Sequence, residues 1–323
     1  MKIRLFHKLV AVMLAVSLIP IALLGYRLIS IGQLGVKTAI LELHLNMAER
    51  IAGDFRAYVD RVDTRMNFVM DAMRKMDWEN KQALLASLVD TNPELKEVSV
   101  LSGEGRELVK VLGPSLKGGT ELRSYAKDPS YRAMRTSKKR TLRFDSSSGT
   151  AGSALGGQHN SSLMPSSGAE MLFFYPFPKN VRSSSAGPMV MSSSAGPLSF
   201  RVSVTLDKFA AIRKLEKIGG TGFPVVIDAA GRPIAFPPDV EAGELAGIKD
   251  WPISKTALSA LATGSSEYED ARGRVQIGAY APIAEPGGAV IVKQSREEAF
   301  RYALFMQRDA FYAILAFALL VLV

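Results

Sequence analysis

The sequence contains no cysteine, which excludes a disulfide framework, a thiolate metal site and a cysteine nucleophile. Histidine is also scarce: His7, His44 and His159 lie far apart, without the spacing of a metal site. The short motifs of serine hydrolases, P-loop proteins, zinc proteases and protein kinases are absent. We therefore predict that this chain is not an enzyme and that it binds neither a metal nor a cofactor.

A long uncharged run near the N-terminus predicts a membrane helix over 9–29. Residues 9–26 read LVAVMLAVSLIPIALLGY, and as a helix they span about 27 Å, close to the hydrocarbon core of a bilayer. Lys2, Arg4 and Lys8 precede the run, so we expect residues 1–8 in the cytoplasm and the following chain outside. A cleaved signal peptide is the alternative, although the run is long and no clean cleavage site follows it.

The C-terminal residues 310–323, AFYAILAFALLVLV, are apolar throughout. As a helix they reach only about 21 Å, which is too short to cross a bilayer. We interpret 301–323 as an exit helix that leads into a truncated second membrane helix, with burial in a soluble core as the alternative. The predicted location is the inner (plasma) membrane, in contact with lipid, with the globular part extracytoplasmic.

A regular apolar stripe predicts a long amphipathic helix over 33–78. Apolar residues recur in steps of three and four at Ile51, Phe55, Val59, Val62, Met66, Val69, Met73 and Met76. The stripe can pack on its own domain, and part of it can also pair with a second copy. We therefore predict a homodimer through this helix.

Two similar segments predict β-hairpins. Residues 98–109 read VSVLSGEGRELV and residues 225–236 read VVIDAAGRPIAF, with Gly105 and Gly231 at the turns where a positive φ is needed. The repetition indicates two copies of one α/β unit. After the second hairpin we expect a helix near 253–262, antiparallel strands near 266–270, 274–283 and 288–294, and a helix at about 296–308. Residues 146–200 are rich in Ser and Gly, except for a strand-like run at 171–178.

This organisation resembles the double Cache sensor modules of bacterial transmembrane receptors. The most specific stretches begin at Gly219 and read GGTGFPVVIDAAGRPIAFP, SSEYEDARGRVQIGAYAPI and GGAVIVKQSREEAF. The resemblance covers about 5–323 and implies an α+β fold: a long N-terminal helix and two PAS-like Cache units with antiparallel sheets, flanked by transmembrane helices. The units would be membrane-distal, 79–205 with the insert 146–200, and membrane-proximal, 206–300. It also implies that the distal unit binds a small ligand and signals through the membrane to a kinase, chemotaxis or cyclase output domain.

The binding motif of amino-acid-binding relatives is matched only in part. Their Arg-Pro-Trp-Tyr-like run corresponds to Asp128-Pro129-Ser130-Tyr131, where the proline and the tyrosine match. Their later Val-Asp pair, whose Asp holds the ligand amine, corresponds to Val202-Ser203. The resemblance therefore does not imply an α-amino acid ligand.

A basic cluster at 123–143 coincides with the pocket position of the family. It holds eight Lys and Arg residues and one acid, in a chain of formal net charge +9. The planar fork of Arg suits carboxylate or phosphate, so we predict a distal pocket for a small anion, a carboxylate or another anion. The candidate ligand-binding residues are Tyr125, Tyr131, Arg132, Arg135, Arg143 and Tyr175. The alternative is a solvated surface, and a nucleic-acid partner is disfavoured because no recognition helix or aromatic platform accompanies the cluster.

Two other functions remain open from the sequence. The chain could be a membrane-anchored surface domain with a structural role, or a tethered substrate-binding protein, without signalling in either case. A sensor needs a concave distal site with convergent polar groups, whereas a structural domain would fill that site with apolar side chains.

Overall fold

The computed structural model describes residues 2–73, 76–114, 121–145, 169–177, 198–206, 215, 217–270, 272–301, 305, 308–309, 311–312 and 315–316. Most of the Ser/Gly-rich insert and most of the predicted second membrane helix lie outside the described residues.

The first helix, α1, runs continuously over Lys2–Met73, 72 residues, with Pro20 inside it. It contains both the predicted membrane segment and most of the apolar stripe. Among the described residues, one helix segment, within Leu23–Met73, is long and apolar enough to cross a membrane. The predicted helix end at 78 differs, because Trp78 begins a separate helix, α2 (Trp78–Thr91), after the N-cap Asp77.

Five antiparallel strands follow in the first unit: β1 (Leu95–Leu101), β2 (Glu107–Leu112), β3 (Thr141–Asp145), β4 (Glu170–Pro176) and β5 (Ser199–Thr205). Their order is β2-β1-β5-β4-β3, and helix α3 (Pro129–Ser137) precedes β3. We call this the distal sheet. The predicted β1–β2 hairpin is confirmed, and Gly105 at its turn has φ of 83°.

The second unit repeats the same plan. Its strands are β6 (Phe223–Asp228), β7 (Pro233–Ala235), β8 (Gly264–Glu269), β9 (Val275–Ile283) and β10 (Gly288–Ser295), with helix α4 (Pro252–Ser259) before β8 and helix α5 (Arg296–Ala299) at the end. The order β7-β6-β10-β9-β8 is that of the distal sheet, position for position, which confirms the predicted repeat. We call this the proximal sheet.

The apolar stripe of α1 forms one core with both sheets. Phe55 and Met66 are buried, and they share a cluster with Phe173 of β4, Val202 of β5 and Val290 of β10. One face of each sheet therefore packs against α1. The predicted α+β fold, a long N-terminal helix with two antiparallel sheets, is confirmed. Pairing of α1 with a second copy stays a prediction.

Candidate functional site

The outer face of the distal sheet is the face turned away from α1. Side chains alternate along a strand, so residues between the core positions point to this face. They include Glu97, Ser99 and Leu101 of β1, Leu172 and Phe174 of β4, and Arg201 and Ser203 of β5. Helix α3 packs over one half of this face.

The half under α3 is apolar and aromatic. Tyr131 and Met134 of α3 are buried against Leu172 and Phe174, and Tyr125 packs at the edge of this cluster. The rings of Tyr125 and Tyr131 each meet Phe174 edge-on, with centroids 6.1 and 6.2 Å away. This half of the outer face therefore consists of apolar surface and aromatic edges.

Local interactions determine where α3 begins and how Tyr131 is oriented. Asp128 is the N-cap, and its Oδ1 accepts hydrogen bonds from the amides of Ser130 at 2.8 Å and Tyr131 at 3.3 Å. The Tyr131 hydroxyl donates to the carbonyls of Ser102 and Gly103, both at 3.1 Å. The β1–β2 turn and α3 are therefore joined through one tyrosine.

The other half of the outer face holds buried charges. Arg201 is 6% exposed and its Nη1 pairs with Glu97 Oε1. The Nζ of Lys110 lies 3.4 Å from Glu97 Oε2. The Ser99 hydroxyl donates to Glu107 Oε1 at 2.8 Å, and that oxygen lies 4.0 Å from Arg201 Nη1. These cations and carboxylates neutralise one another, which permits their burial.

A second pair lies beside this cluster. Glu170 of β4 pairs with Lys96 of β1, and its Oε2 accepts a hydrogen bond from Ser203 at 2.5 Å. Ser203 occupies the position at which the amino-acid-binding relatives carry the Asp that holds the ligand amine. A carboxylate is nevertheless present there, because the neighbouring strand supplies it.

Tyr125 and Arg201 connect the two halves. The Arg201 Cζ lies 4.6 Å from the centroid of the Tyr125 ring. Burial raises the pKa of Tyr125 to about 12, and the nearby Arg201 opposes this rise. The phenol therefore stays a neutral hydrogen-bond donor at physiological pH. The Nε of Arg201 is buried and has no hydrogen-bond partner within the described part of the chain.

The six residues chosen from the sequence do not converge on one site. Tyr125 and Tyr131 lie on the outer face. Arg132 and Arg135 lie on the exposed side of α3, where Arg132 Nε donates to the Ala126 carbonyl at 3.1 Å.

The remaining two have structural partners. Arg143 Nη2 lies 2.9 Å from Asp128 Oδ2, so it links β3 to the start of α3. Tyr175 lies on the opposite face of the sheet, where its hydroxyl donates to Asp63 Oδ1 of α1 at 2.7 Å.

Sequence reasoning missed the half-buried Glu97 and the buried Glu107, Glu170 and Arg201. A signal was present in β5, whose sequence SFRVSVT alternates polar and apolar residues although the strand is buried on both faces. Polar residues at alternate positions of a central strand indicate a polar, enclosed face. Among the described residues, no group of His, Asp and Glu side chains is arranged to hold a metal ion.

No family model and no curated protein matches the chain. Solved structures match it in fold. The extracellular domain of the histidine kinase vpHK1S-Z8 has a TM-score of 0.54 at 13% identity, over 82% of this chain and 98% of that one. The ligand-binding domain of Mlp24 with asparagine has a TM-score of 0.52 at 10% identity, over 83% and 97%. The ligand-binding domain of the Pseudomonas fluorescens chemoreceptor CtaA in complex with L-isoleucine has a TM-score of 0.50 at 13% identity, over 84% and 98%.

The chain has the fold of a double Cache sensor module. The resemblance inferred from the sequence is thus confirmed as a likeness of fold. In this Cache fold the distal and proximal sheets are the two units, and each has its own outer face. The three solved structures above are the extracellular domain of a histidine kinase and the ligand-binding domains of Mlp24 and of a chemoreceptor.

Proposed function

We propose that this chain is the extracytoplasmic sensing module of a transmembrane signalling receptor, and that it binds a small carboxylate-bearing molecule on the outer face of the distal sheet. The observation that carries the proposal is the buried Arg201 cluster beside Tyr125 and Tyr131. A purely structural domain would gain stability by filling this face with apolar side chains.

The geometry of Arg201 favours a carboxylate. Its guanidinium has five N–H donors in a planar fork, and Nη1 makes its contact with Glu97. The Nε donor is buried, and no described residue accepts from it. A ligand oxygen at this position would satisfy the donor, and the edges of Tyr125 and Phe174 would contact the rest of the ligand.

The carboxylates of the same face extend the choice of ligand. Glu97, Glu107 and Glu170 share this face with Arg201 and Lys96, so a molecule that carries both a carboxylate and an amine also suits the face. The relatives of known structure include one with asparagine and one with L-isoleucine. Amino acids therefore belong in the first binding screen, together with simple organic acids.

Thermal shift with the 323-residue chain in detergent tests the proposal. A ligand at about one hundred times its dissociation constant stabilises by about 2.7 kcal/mol, which raises Tm by roughly 5–11 °C. Arg201→Lys keeps the charge and loses the planar fork, so we expect at least about a tenfold loss of affinity. Arg132→Lys is the matched control, because Arg132 is exposed on α3.

Two outcomes would contradict this function. The first is a screen in which no amino acid or organic acid stabilises the chain. The second is an Arg201→Lys variant that responds to the ligand as the wild type does. The unliganded Tm of Arg201→Lys shows whether the variant folds.

The proposed topology has a direct test, because the chain has no cysteine of its own. A single cysteine at the exposed Lys255 should react with a membrane-impermeant maleimide in intact cells. A cysteine at Lys2 should react only after the cells are opened. Labelling of the Lys2 position in intact cells would contradict the proposed orientation.

A further inference from the structure

The outer face of the proximal sheet carries a buried lysine. Lys293 of β10 is 7% exposed and lies directly across from Phe223 of β6 and Gly278 of β9. Its Nζ lies 4.5 Å from the centroid of the Phe223 ring and 4.9 Å from that of Trp251. Within the described part of the chain, no carboxylate or other acceptor is in hydrogen-bond or ion-pair distance of this ammonium group.

The acids near Lys293 are engaged elsewhere. Glu244 and Asp270 are the carboxylates whose charge acts on it from a distance. Asp270 Oδ2 is 2.9 Å from Arg274 Nη2, and Glu244 Oε1 is 3.9 Å from Lys217 Nζ. Neither carboxylate therefore serves as a close counter-ion for Lys293.

Two aromatic rings do not compensate for this burial. Removing an ammonium group from water is costly, and aromatic rings replace only part of its lost hydration because they offer no hydrogen-bond acceptor of full strength. Burial accordingly lowers the pKa of Lys293. An anion next to the ammonium group would compensate for its lost hydration.

Two buried hydroxyl groups lie in the same unit without partners. The Tyr268 Oη and the Ser254 Oγ have no hydrogen-bond partner among the described residues. The Tyr268 ring lies against Gly278, where an added Cβ would come within 3.1 Å of Tyr268 Cε1, and Gly278 is directly across from Lys293 on the neighbouring strand. Ser254 belongs to the first turn of α4, which follows Trp251. Buried unsatisfied donors are rare in native proteins and call for a ligand or a water.

We propose that the outer face of the proximal sheet is a second binding site, for a small carboxylate such as acetate. The Lys293 ammonium supplies the charge, and the hydroxyls of Tyr268 and Ser254 donate hydrogen bonds to the carboxylate oxygens, which together accept up to four. The rings of Phe223 and Trp251 contact the apolar end of the ligand.

The internal repeat supports this location. Glu97 precedes the turn residue Ser102 by as many positions as Phe223 precedes Asp228. The partner of Glu97 on the central strand is Ser203, and the partner of Phe223 is Lys293. Lys293 of the proximal sheet therefore corresponds to Ser203 of the distal sheet, which lies on the proposed ligand face. The two sites are separate, and each can fail without the other.

An acetate titration of the 323-residue chain in detergent tests the site. Ionic strength is held constant with sodium chloride, and Tm is measured. We expect acetate to raise the Tm of the wild type. Lys293→Met should abolish the acetate shift while its Tm without acetate stays equal to or above that of the wild type, since the variant removes a buried charge. Lys255→Met removes an exposed lysine of α4 and should keep the shift.

A wild type without an acetate shift, or an equal shift in Lys293→Met, would overturn the proposal. Arg201→Lys separates the two sites: an acetate shift that this variant keeps and Lys293→Met loses belongs to the proximal face, whereas loss of the shift in Arg201→Lys would assign acetate to the distal face and overturn the proposal. If Lys293→Met does not fold, Tyr268→Phe removes one hydroxyl only. It should weaken acetate binding by about tenfold, and unchanged binding would count against the site.

Discussion

Arg140 connects three parts of the molecule, so the loss of stability on its removal can be estimated from the structure. It lies between α3 and β3, its Nη1 is 2.8 Å from Asp63 Oδ2 of α1, and its Nη2 pairs with Glu285 in the β9–β10 turn. Asp63 also accepts the Tyr175 hydroxyl at 2.7 Å. The arginine therefore joins the distal unit to the long helix and to the proximal unit.

The two ion pairs differ in exposure to solvent, and this difference decides which pair contributes more to stability. The side chains of Arg140 and Asp63 are 21% and 24% exposed, whereas Glu285 is 64% exposed. An exposed pair contributes about 0.5 kcal/mol. Removing one partner of a largely buried pair leaves the other charge poorly solvated and costs about 2 kcal/mol. Burial raises the pKa of Asp63 while Tyr175 and Arg140 oppose this rise, which agrees with a carboxylate that depends on its partners.

We therefore predict that Arg140→Ala lowers Tm by about 4–8 °C and that Glu285→Ala lowers it by less than about 2 °C. The assay is thermal unfolding of the chain in detergent, with Arg132→Ala as the exposed control. In a double-mutant cycle, Arg140→Ala and Asp63→Asn should couple by about 1–2 kcal/mol. The reasoning is refuted if Arg140→Ala melts like Arg132→Ala, or if Glu285→Ala is the more damaging of the two.

Three further predictions address other contacts. His44 of α1 is fully buried, its Nε2 donates a hydrogen bond to Gln294 Oε1 at 3.2 Å, and burial lowers its pKa. The unfolded chain therefore binds more protons, so stability should fall as the pH drops below about 6.5, and His44→Gln should show a smaller fall in the same melts. Glu298 of α5 accepts from the amides of Gly220 at 2.6 Å and Thr221 at 2.8 Å, so Glu298→Ala should speed amide exchange at 219–222 by about tenfold, with Glu297→Ala as the control. Tyr131→Phe loses the bonds to the β1–β2 turn and should lower Tm by about 2–4 °C; an unchanged Tm would show that these bonds do not hold α3.

Much of the fold was predictable because its signals are local. The stripe that includes Phe55 and Met66 recurs every three or four residues, and the structure buries it. Gly105 and Gly231 sit between β-branched runs, and both adopt the positive φ that such turns need. The end of α1 was misplaced, because the pattern continues past Met73 whereas the Asp77 cap begins a new helix.

The candidate site was predictable only in part. Tyr131 was found because it lies in a short recognisable run, and Asp128 in that run is the cap of α3. Arg132 and Arg135 follow it in sequence, but a helix turns them to the exposed side. Tyr175 is adjacent to Phe174, yet the two lie on opposite faces of β4 because strand side chains alternate.

By itself, the sequence determined the elements, the repeat and the apolar helix, since each depends on residues a few positions apart. Only the tertiary structure decided which face each strand turns to α1 and which charges meet. Arg201 and Glu97 are 104 residues apart, and His44 and Gln294 are 250 apart. Such pairs depend on strand register and on the packing of α1, and no local pattern encodes them. The same register places Lys293 beside Phe223 and directly across from Gly278, in the unit whose counterpart holds the buried Arg201 cluster.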